Sequence, residues 1–302
     1  MRAAALATIA AVLTLPLPAL AEQVTIQTAT GPVALEGAPE TVVAFDVPAI
    51  DTLEALGVRV AGIPAPHFVS YLDDVAEQAK VVGSLFEPDF EALAIMAPDV
   101  IIAGGRSSAQ VEPLSKVAPT VDMTIWGGDA VGQVKARLAA YGALFGVEDK
   151  AEALASELDA KLAEAEATIA GKGDALIVLT NGGKVSAYGA DSRFGWLHRA
   201  LSLPEAFPDL TAKTHGEAVS FEFIAEVNPD WILVIDRGAA IGQSGEAAAA
   251  TLDNPLVAGT KAAQTGQIVY LDSGPLYISG GGIQSMMITL DEVIAAFSDG
   301  ES

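Results

Sequence analysis

The chain has 302 residues, of which 16 are Lys or Arg and 39 are Asp or Glu, so its formal net charge at pH 7 is −23. A surface this acidic repels the phosphate backbone of nucleic acids and disfavours anionic membrane surfaces, which excludes non-specific binding to either. Because the chain has no cysteine, neither a disulfide nor lipid attachment through an N-terminal cysteine is available to it.

The first residues form an apolar leader. Arg2 is followed by AAALATIAAVLTLPLPALA, a run that contains two prolines near its end and closes on Ala19-Leu20-Ala21. This is the form of a secretory signal peptide with an A-x-A cleavage site, and the prolines argue against the alternative of a transmembrane anchor. We therefore predict that residues 1–21 are a signal peptide and that the mature protein is periplasmic, without a lipid anchor.

Short β-branched strands alternate with helical patterns along the rest of the chain. The strand candidates lie at 41–45, 59–63, 99–104, 175–180, 230–235 and 267–271. This alternation is typical of α/β proteins, in which helices cover both faces of a mainly parallel sheet.

Residues 146–172 interrupt this alternation with one long helical pattern. The stretch is rich in Ala, Glu, Leu and Lys, and a glycine ends it. An ordinary surface helix is the alternative, but the central position favours a connection between lobes. We therefore expect two Rossmann-like lobes, at 22–145 and 173–302, joined by this helix and separated by a ligand cleft.

One pattern occurs twice, once in each expected lobe. The segments FEALAIMAPDVIIAGGR (90–106) and FEFIAEVNPDWILVIDR (221–237) both read as a helix, a Pro-Asp turn, a buried strand and an arginine. A repeat of this length suits two related lobes rather than a solenoid. Ligands of open α/β sheets bind beyond the carboxyl ends of the strands, so Arg106 and Arg237 are predicted to face the cleft and an anionic ligand.

The chain carries no sequence motif of catalysis. There is no GxSxG, P-loop or HExxH motif, and no GxGxxG that opens a helix. The histidines, which are His67, His198 and His215, are too far apart for a local zinc motif.

Further candidates for ligand contacts lie in polar loops. Arg193 and Trp196 occur in the aromatic segment SAYGADSRFGWLH (186–198), and His215 and Tyr277 lie in loops near the second repeat copy and beyond the last strand. A solvated arginine, a satisfied loop histidine and a packing tyrosine are the alternatives. Guanidinium groups present planar donors to oxygen-rich anions and stack on aromatic rings.

Taken together, these segments resemble the periplasmic substrate-binding proteins of ABC importers for iron-siderophores, haem and cobalamin, and most of all the catecholate-siderophore branch. The resemblance rests on GGRSSAQ (104–110), SRFGWLH (192–198), HGEAVSFEFIAEVNPDWILVIDRG (215–238) and NPLVAGTKAAQTGQIVYLD (254–272). It implies a monomer that captures a ferric siderophore and delivers it to an inner-membrane ABC permease, with no resident cofactor and no catalysis. A haem or cobalamin carrier of the same fold, or a periplasmic enzyme built on the same lobes, remains the alternative.

The resemblance also implies roles for single residues. Arg106, Arg193 and Arg237 would form a basic patch against the catecholate oxygens, with Trp196 beside the pocket.

His215 and Tyr277 would complete the coordination of Fe(III) when the siderophore leaves two positions open, since a phenolate suits a hard cation and a neutral imidazole is acceptable. Glu91 and Glu222, one on each lobe, would dock onto arginines of the permease. Ordinary helix-surface carboxylates are the alternative for these two.

Overall fold

A computed structural model of the chain describes residues 23–211, 214–243 and 247–299. The predicted signal peptide therefore lies outside the described residues. Within those ranges, no helix combines the length and the apolar composition that crossing a bilayer requires.

The N-terminal lobe is built on a five-stranded parallel sheet. The lobe contains seven strands among the described residues, which are β1 (Gln23–Thr28), β2 (Gly31–Glu36), β3 (Val42–Ala44), β4 (Gly62–Ile63), β5 (Lys80–Val81), β6 (Val100–Ala103) and β7 (Thr120–Asp122). Its helices are α1 (Val47–Leu56), α2 (Asp73–Gln78), α3 (Phe90–Met96), α4 (Val111–Leu114) and α5 (Ala130–Phe145). The sheet order is β5-β4-β3-β6-β7, while β1 and β2 form a separate antiparallel hairpin.

One helix, α6 (Glu148–Ile169), leads from this lobe to the next. The C-terminal lobe contains strands β8 (Ala175–Asn181), β9 (Lys184–Tyr188), β10 (Glu217–Val219), β11 (Trp231–Asp236) and β12 (Ile268–Tyr270). Its helices are α7 (Trp196–Ala200), α8 (Phe221–Val227), α9 (Arg237–Ala240), α10 (Ala248–Leu252), α11 (Pro255–Ala258), α12 (Lys261–Gln264) and α13 (Ile283–Asp299).

The second sheet has the order β10-β9-β8-β11-β12, which is parallel over β8, β11 and β12 and antiparallel at β9 and β10. Both sheets bury continuous apolar strands, such as β6 and β8, because helices cover both faces. The predicted architecture of two mainly parallel α/β lobes joined by one long helix is confirmed.

The sequence repeat is a structural repeat. Helices α3 and α8 are seven residues long and are followed by a left-handed residue, Ala97 or Asn228. The aspartate of each Pro-Asp turn then holds the start of a neighbouring strand: Asp99 accepts a 2.7 Å hydrogen bond from the backbone of Thr41, and Asp230 accepts one of 3.2 Å just before β8. Strands β6 and β11 consequently occupy equivalent places in the two sheets, and the two arginines that follow them are structurally equivalent.

Helix α13 fastens the two lobes together. It packs along α6 and against α1, and α1 supplies the side chains that cap its first turn. The Asp51 carboxylate accepts 2.9 Å hydrogen bonds from the backbone N–H groups of Gln284 and Ser285, and Thr52 accepts one of 3.2 Å from Ile283. These N–H groups have no partner within their own helix, so a cap supplied by the other lobe satisfies them.

A short π-helical segment, residues 274–278, immediately precedes this junction. Tyr71 of the N-terminal lobe donates a 2.6 Å hydrogen bond to Asp51 and lies 2.6 Å from the hydroxyl of Ser279. The segment 274–278 is therefore anchored to the N-terminal lobe although it belongs to the C-terminal lobe.

Candidate ligand-binding site

A cavity of about 250 Å³ lies between the two lobes. Residues of both lobes line it, as expected for a cleft beyond the carboxyl ends of parallel strands. Those that matter for its chemistry are Asp46, Arg106 and Trp126 from the N-terminal lobe, and Arg193, Trp196, His215 and Tyr277 from the C-terminal lobe.

The carboxyl ends of the strands position the arginines. Arg106 lies in the 3-10 turn that follows β6, and Arg237 is the first residue of α9, directly after β11. Arg106 lines the cavity, whereas Arg237 lies behind Tyr277 and is not part of the cavity wall. The two equivalent residues thus differ in their position relative to the cavity.

Two of the arginines hold the backbone of the π-helical segment. Arg106 donates from Nη2 to the carbonyl of Tyr277 (2.8 Å) and from Nη1 to that of Ile278 (3.1 Å). Arg193 donates from Nη2 to the same carbonyl of Tyr277. Because Arg106 comes from the opposite lobe, its hydrogen bonds also connect the two sides of the cleft.

All three arginines surround the Tyr277 side chain as well. The Cζ atoms of Arg106 and Arg193 lie 5.1 and 4.5 Å from the centre of its ring, and Arg237 donates from Nε to its hydroxyl (3.3 Å). Burial by itself raises the pKa of the Tyr277 phenol, but the hydrogen bond from Arg237 and the charges of the three arginines outweigh it and lower the pKa. The arrangement therefore stabilises the phenolate of Tyr277 relative to that of an isolated tyrosine.

The site is positively charged inside a strongly acidic protein. The pKa of Arg193 is lowered to about 10, first because the side chain is buried and second because the charge of Arg106 lies nearby. A group with this pKa is still a cation at neutral pH. Two cations held close together in a half-buried cleft are stabilised by an anionic ligand, and their planar donors suit paired oxygens.

The three histidines have different environments. His215 is exposed and lines the cavity. His198 is buried with its Nδ1 3.0 Å from the carbonyl oxygen of Leu203, and burial lowers its pKa, while the Nε2 of His67 lies 2.9 Å from Asp73. Of these, His215 is the one positioned to reach a ligand.

Across the described ranges, no cluster of three or more His, Cys, Asp or Glu side chains could hold a metal ion by itself. The coordination by His215 and Tyr277 stays a prediction.

Two residues that line the cavity, Trp126 and Asp46, were not predicted from the sequence. The Trp126 side chain is 55% exposed at the cleft, and the side-chain amide of Gln133 fixes its backbone, accepting from its N–H (3.1 Å) and donating to its carbonyl (2.5 Å). Trp126 and Asp46 follow β7 and β3, so the strand-end argument that selected Arg106 applies to them equally.

Trp196, which was predicted to lie beside the pocket, lines the cavity with a side chain that is almost entirely buried. Its neighbour Phe194 packs 4.7 Å from the ring of Tyr188, with the Cζ of Arg193 5.2 Å above its own ring. These aromatic rings form the wall that holds Arg193 in place.

Glu91 and Glu222 lie outside the cavity. Both are exposed and occupy the first turn of the equivalent helices α3 and α8. The backbone N–H at the start of α8 and the hydroxyl of Ser220 lower the pKa of Glu222.

These features define a two-lobed solute-binding protein, and the chain belongs to the periplasmic binding protein family, whose model matches residues 42–275. The family predicted from the sequence is thereby confirmed. The chain is 36% identical to the petrobactin-binding protein YclQ of Bacillus subtilis over 259 residues. This matched region covers 84% of this chain and 81% of YclQ. It is also 31% identical to the ferric-anguibactin-binding protein FatB of Vibrio anguillarum, over 88% of this chain and 85% of that one.

The solved structures agree with these relatives. The crystal structure of YclQ superposes with a TM-score of 0.85 at 34% identity and covers 91% of this chain and 99% of that one. The periplasmic catecholate-siderophore binding protein VctP of Vibrio cholerae superposes with a TM-score of 0.83 at 30% identity, over 92% and 100% of the two chains.

Proposed function

We propose that the protein captures a ferric siderophore with catecholate-type oxygen donors in the cleft and delivers it to an inner-membrane ABC importer. The observation that carries this proposal is the convergence of Arg106, Arg193 and Arg237 on Tyr277, with the first two lining the cavity. Deprotonated catechols present pairs of anionic oxygens, which match the paired donors of a guanidinium group. The relatives named for iron chelates support the same ligand class.

Iron in this proposal is cargo and not a resident cofactor. His215 and Tyr277 would fill positions that a tetradentate siderophore leaves open on Fe(III). The lowered pKa of Tyr277 makes it easier to form the phenolate that a hard cation prefers. We further propose that the protein is a periplasmic monomer, that its leader is removed on export, and that it performs no catalysis. A haem or cobalamin carrier is the second candidate, but it would not need three arginines beside a His–Tyr pair.

Tryptophan fluorescence distinguishes these ligand classes. We expect a ferric catecholate to quench the emission saturably and to bind at least tenfold more tightly than haem or cobalamin, because Trp126 and Trp196 line the cavity. Trp126→Phe and Trp196→Phe should each reduce the amplitude of quenching. Trp231→Phe is the matched control, since Trp231 stacks on Phe297 away from the cavity. Saturable binding of haem or cobalamin without binding of any catecholate would contradict the proposal.

The proposed delivery step is tested separately from binding. Glu91→Ala and Glu222→Ala together should leave the ligand dissociation constant unchanged but lower uptake of the iron chelate by cells, because exposed carboxylates outside the cleft would steer and orient the protein on the permease. Uptake of radiolabelled iron is the measurement. Glu77→Ala with Glu226→Ala, a pair of other helix carboxylates on the two lobes, removes the same charge and should transport normally. Undiminished uptake by the Glu91/Glu222 variant would remove both residues from the docking surface.

A further inference from the structure

Asp46 is a buried carboxyl group at the cleft whose bonding is incomplete. Its side chain is 7% exposed, and it caps α1 by accepting a 3.2 Å hydrogen bond from Ala49 at Oδ2. Its other oxygen, Oδ1, accepts no hydrogen bond from any residue in the ranges that the structure describes, although Asp46 lines the cavity. It is not among the fully buried unpaired side-chain atoms of those ranges, so it stays accessible and is available to a ligand.

Asp51, five residues further along α1, shows what a structural carboxylate in this helix looks like. It is fully buried, and both of its oxygens accept hydrogen bonds from α13, with a third from Tyr71. Asp46 makes one such bond, and its remaining oxygen lies beside Gly105, which also lines the cavity. Within the described residues, only Oδ2 of Asp46 accepts a hydrogen bond from the fold.

The surroundings of Asp46 place it beside the proposed anion site. A Cβ atom at Gly104 would come within 3.1 Å of its Cγ, and one at Gly105 would lie 3.6 Å from its Oδ1. The backbone that leads into Arg106 thus runs directly past the free oxygen. A ligand held by Arg106 would therefore lie close to Asp46.

The charged groups around Asp46 do not neutralise it. Arg106 and Arg137 attract its negative charge and Asp122 repels it, but both guanidinium groups already donate to backbone carbonyls, and Asp46 forms no ion pair with another described residue. Tyr141 of α5 lies buried close by. Burial raises the pKa of Asp46 to about 7, against the effect of the Ala49 amide and of Arg106.

Three further titratable or charged groups face the same cavity from the C-terminal lobe, namely Arg193, His215 and Tyr277. All three are present both in the wild type and in a variant of Asp46. A comparison of the two proteins therefore isolates the contribution of Asp46.

We propose that Asp46 is a ligand-contact residue that carries a proton in the loaded cleft and donates it from Oδ1 as a hydrogen bond to an oxygen of the anionic ligand. This inference rests on the proposed function. An ionised Asp46 would instead place a negative charge beside that oxygen. The cleft should therefore prefer ligands that present an acceptor oxygen, and not a donor, next to the oxygens held by Arg106.

The proposal fixes the sign of a pH dependence. Below about pH 7 the free protein already holds the proton on Asp46, and binding needs no proton uptake at this residue. Above that pH, binding must take up a proton, so affinity falls as pH rises, by at most about tenfold per pH unit for one proton.

The test compares Asp46→Asn with the wild type, using a synthetic hexadentate ferric tris-catecholate as the probe. Asparagine caps a helix as well as aspartate does and donates a hydrogen bond without titrating. We expect the wild-type dissociation constant, measured by fluorescence, to rise several-fold per pH unit between pH 7.5 and 9. The variant should lose this slope and bind at least tenfold more tightly than the wild type at pH 9. Asp89→Asn, which caps α3 outside the cleft, is the matched control and should follow the wild type.

Calorimetry in buffers of different ionisation enthalpy supplies a second readout that needs no variant. The wild type should take up close to one proton per ligand bound at pH 8.5. Parallel pH slopes for the wild type and Asp46→Asn, or no proton uptake by the wild type, would overturn the role of Asp46 and leave the proposed function standing. Absence of catecholate binding by the wild type at every pH would overturn both.

Discussion

Replacement of both Arg106 and Arg193 by alanine is expected to weaken the binding of a ferric catecholate at least a hundredfold. A hydrogen bond to a charged group contributes about 1.5–3 kcal/mol, and about 1.4 kcal/mol corresponds to a tenfold change in the dissociation constant. Each single variant should therefore lose about tenfold to a hundredfold. The double variant should lose more, although not the full product, because the two guanidinium groups share the carbonyl of Tyr277.

The measurement is a fluorescence titration at fixed ionic strength. Arg59→Ala removes the same charge from an exposed position outside the cavity and should bind as the wild type does. Arg237→Ala should fall between these limits, since Arg237 acts through the hydroxyl of Tyr277 and does not line the cavity. If the double variant binds within threefold of the wild type, the ligand is not held by its anionic oxygens.

Replacement of Tyr277 by phenylalanine is expected to separate two classes of iron chelate. A tetradentate bis-catecholate leaves two coordination positions on iron, so removal of the phenol oxygen should weaken its binding by about tenfold or more and shift its charge-transfer absorption. The figure corresponds to the loss of at least one strong polar contact, about 1.4 kcal/mol. A hexadentate tris-catecholate, which needs no protein ligand, should bind almost unchanged because the ring and its contacts with the arginines remain.

His215→Ala should change the tetradentate complex in the same direction. Tyr188→Phe is the matched control, because Tyr188 lies behind Phe194 and is not part of the cavity wall. An equal effect of Tyr277→Phe on both chelates, or no effect on either, would show that Tyr277 is only a wall residue and does not coordinate iron.

The fold was predictable because its signals are local. Buried strands such as β6 and β8 are continuous apolar runs, and the repeated Pro-Asp turns mark equivalent strand starts in both lobes. Strands β1, β2, β5, β7, β9 and β10 were not predicted. Strands β5, β7 and β10 are only two or three residues long and pair with neighbours that are distant in sequence. The β1–β2 and β8–β9 hairpins are local and were overlooked.

The site was only partly predictable, for a related reason. A strand-end position identifies a residue that can reach the cleft, and this rule placed Arg106 at the cavity. It cannot tell that Arg237 is screened by Tyr277, or that Asp46 has one oxygen without a partner, because these facts depend on how two lobes meet. Trp126 was overlooked because its side chain looks like any surface aromatic until the opposite wall is present.

The hydrogen bonds from Arg106 and Arg193 to the carbonyls of the π-helical segment are interactions that a ligand has to replace when it binds to these arginines. These guanidinium groups are not bare cations, since each already donates to a neutral carbonyl oxygen of the protein. A solute that offers only neutral carbonyls exchanges one such bond for another and gains almost nothing. An oxyanion forms hydrogen bonds about twice as strong as those of a neutral carbonyl, so its displacement of the carbonyls lowers the free energy. Neutral metabolites that are small enough to enter would therefore gain little from these two arginines.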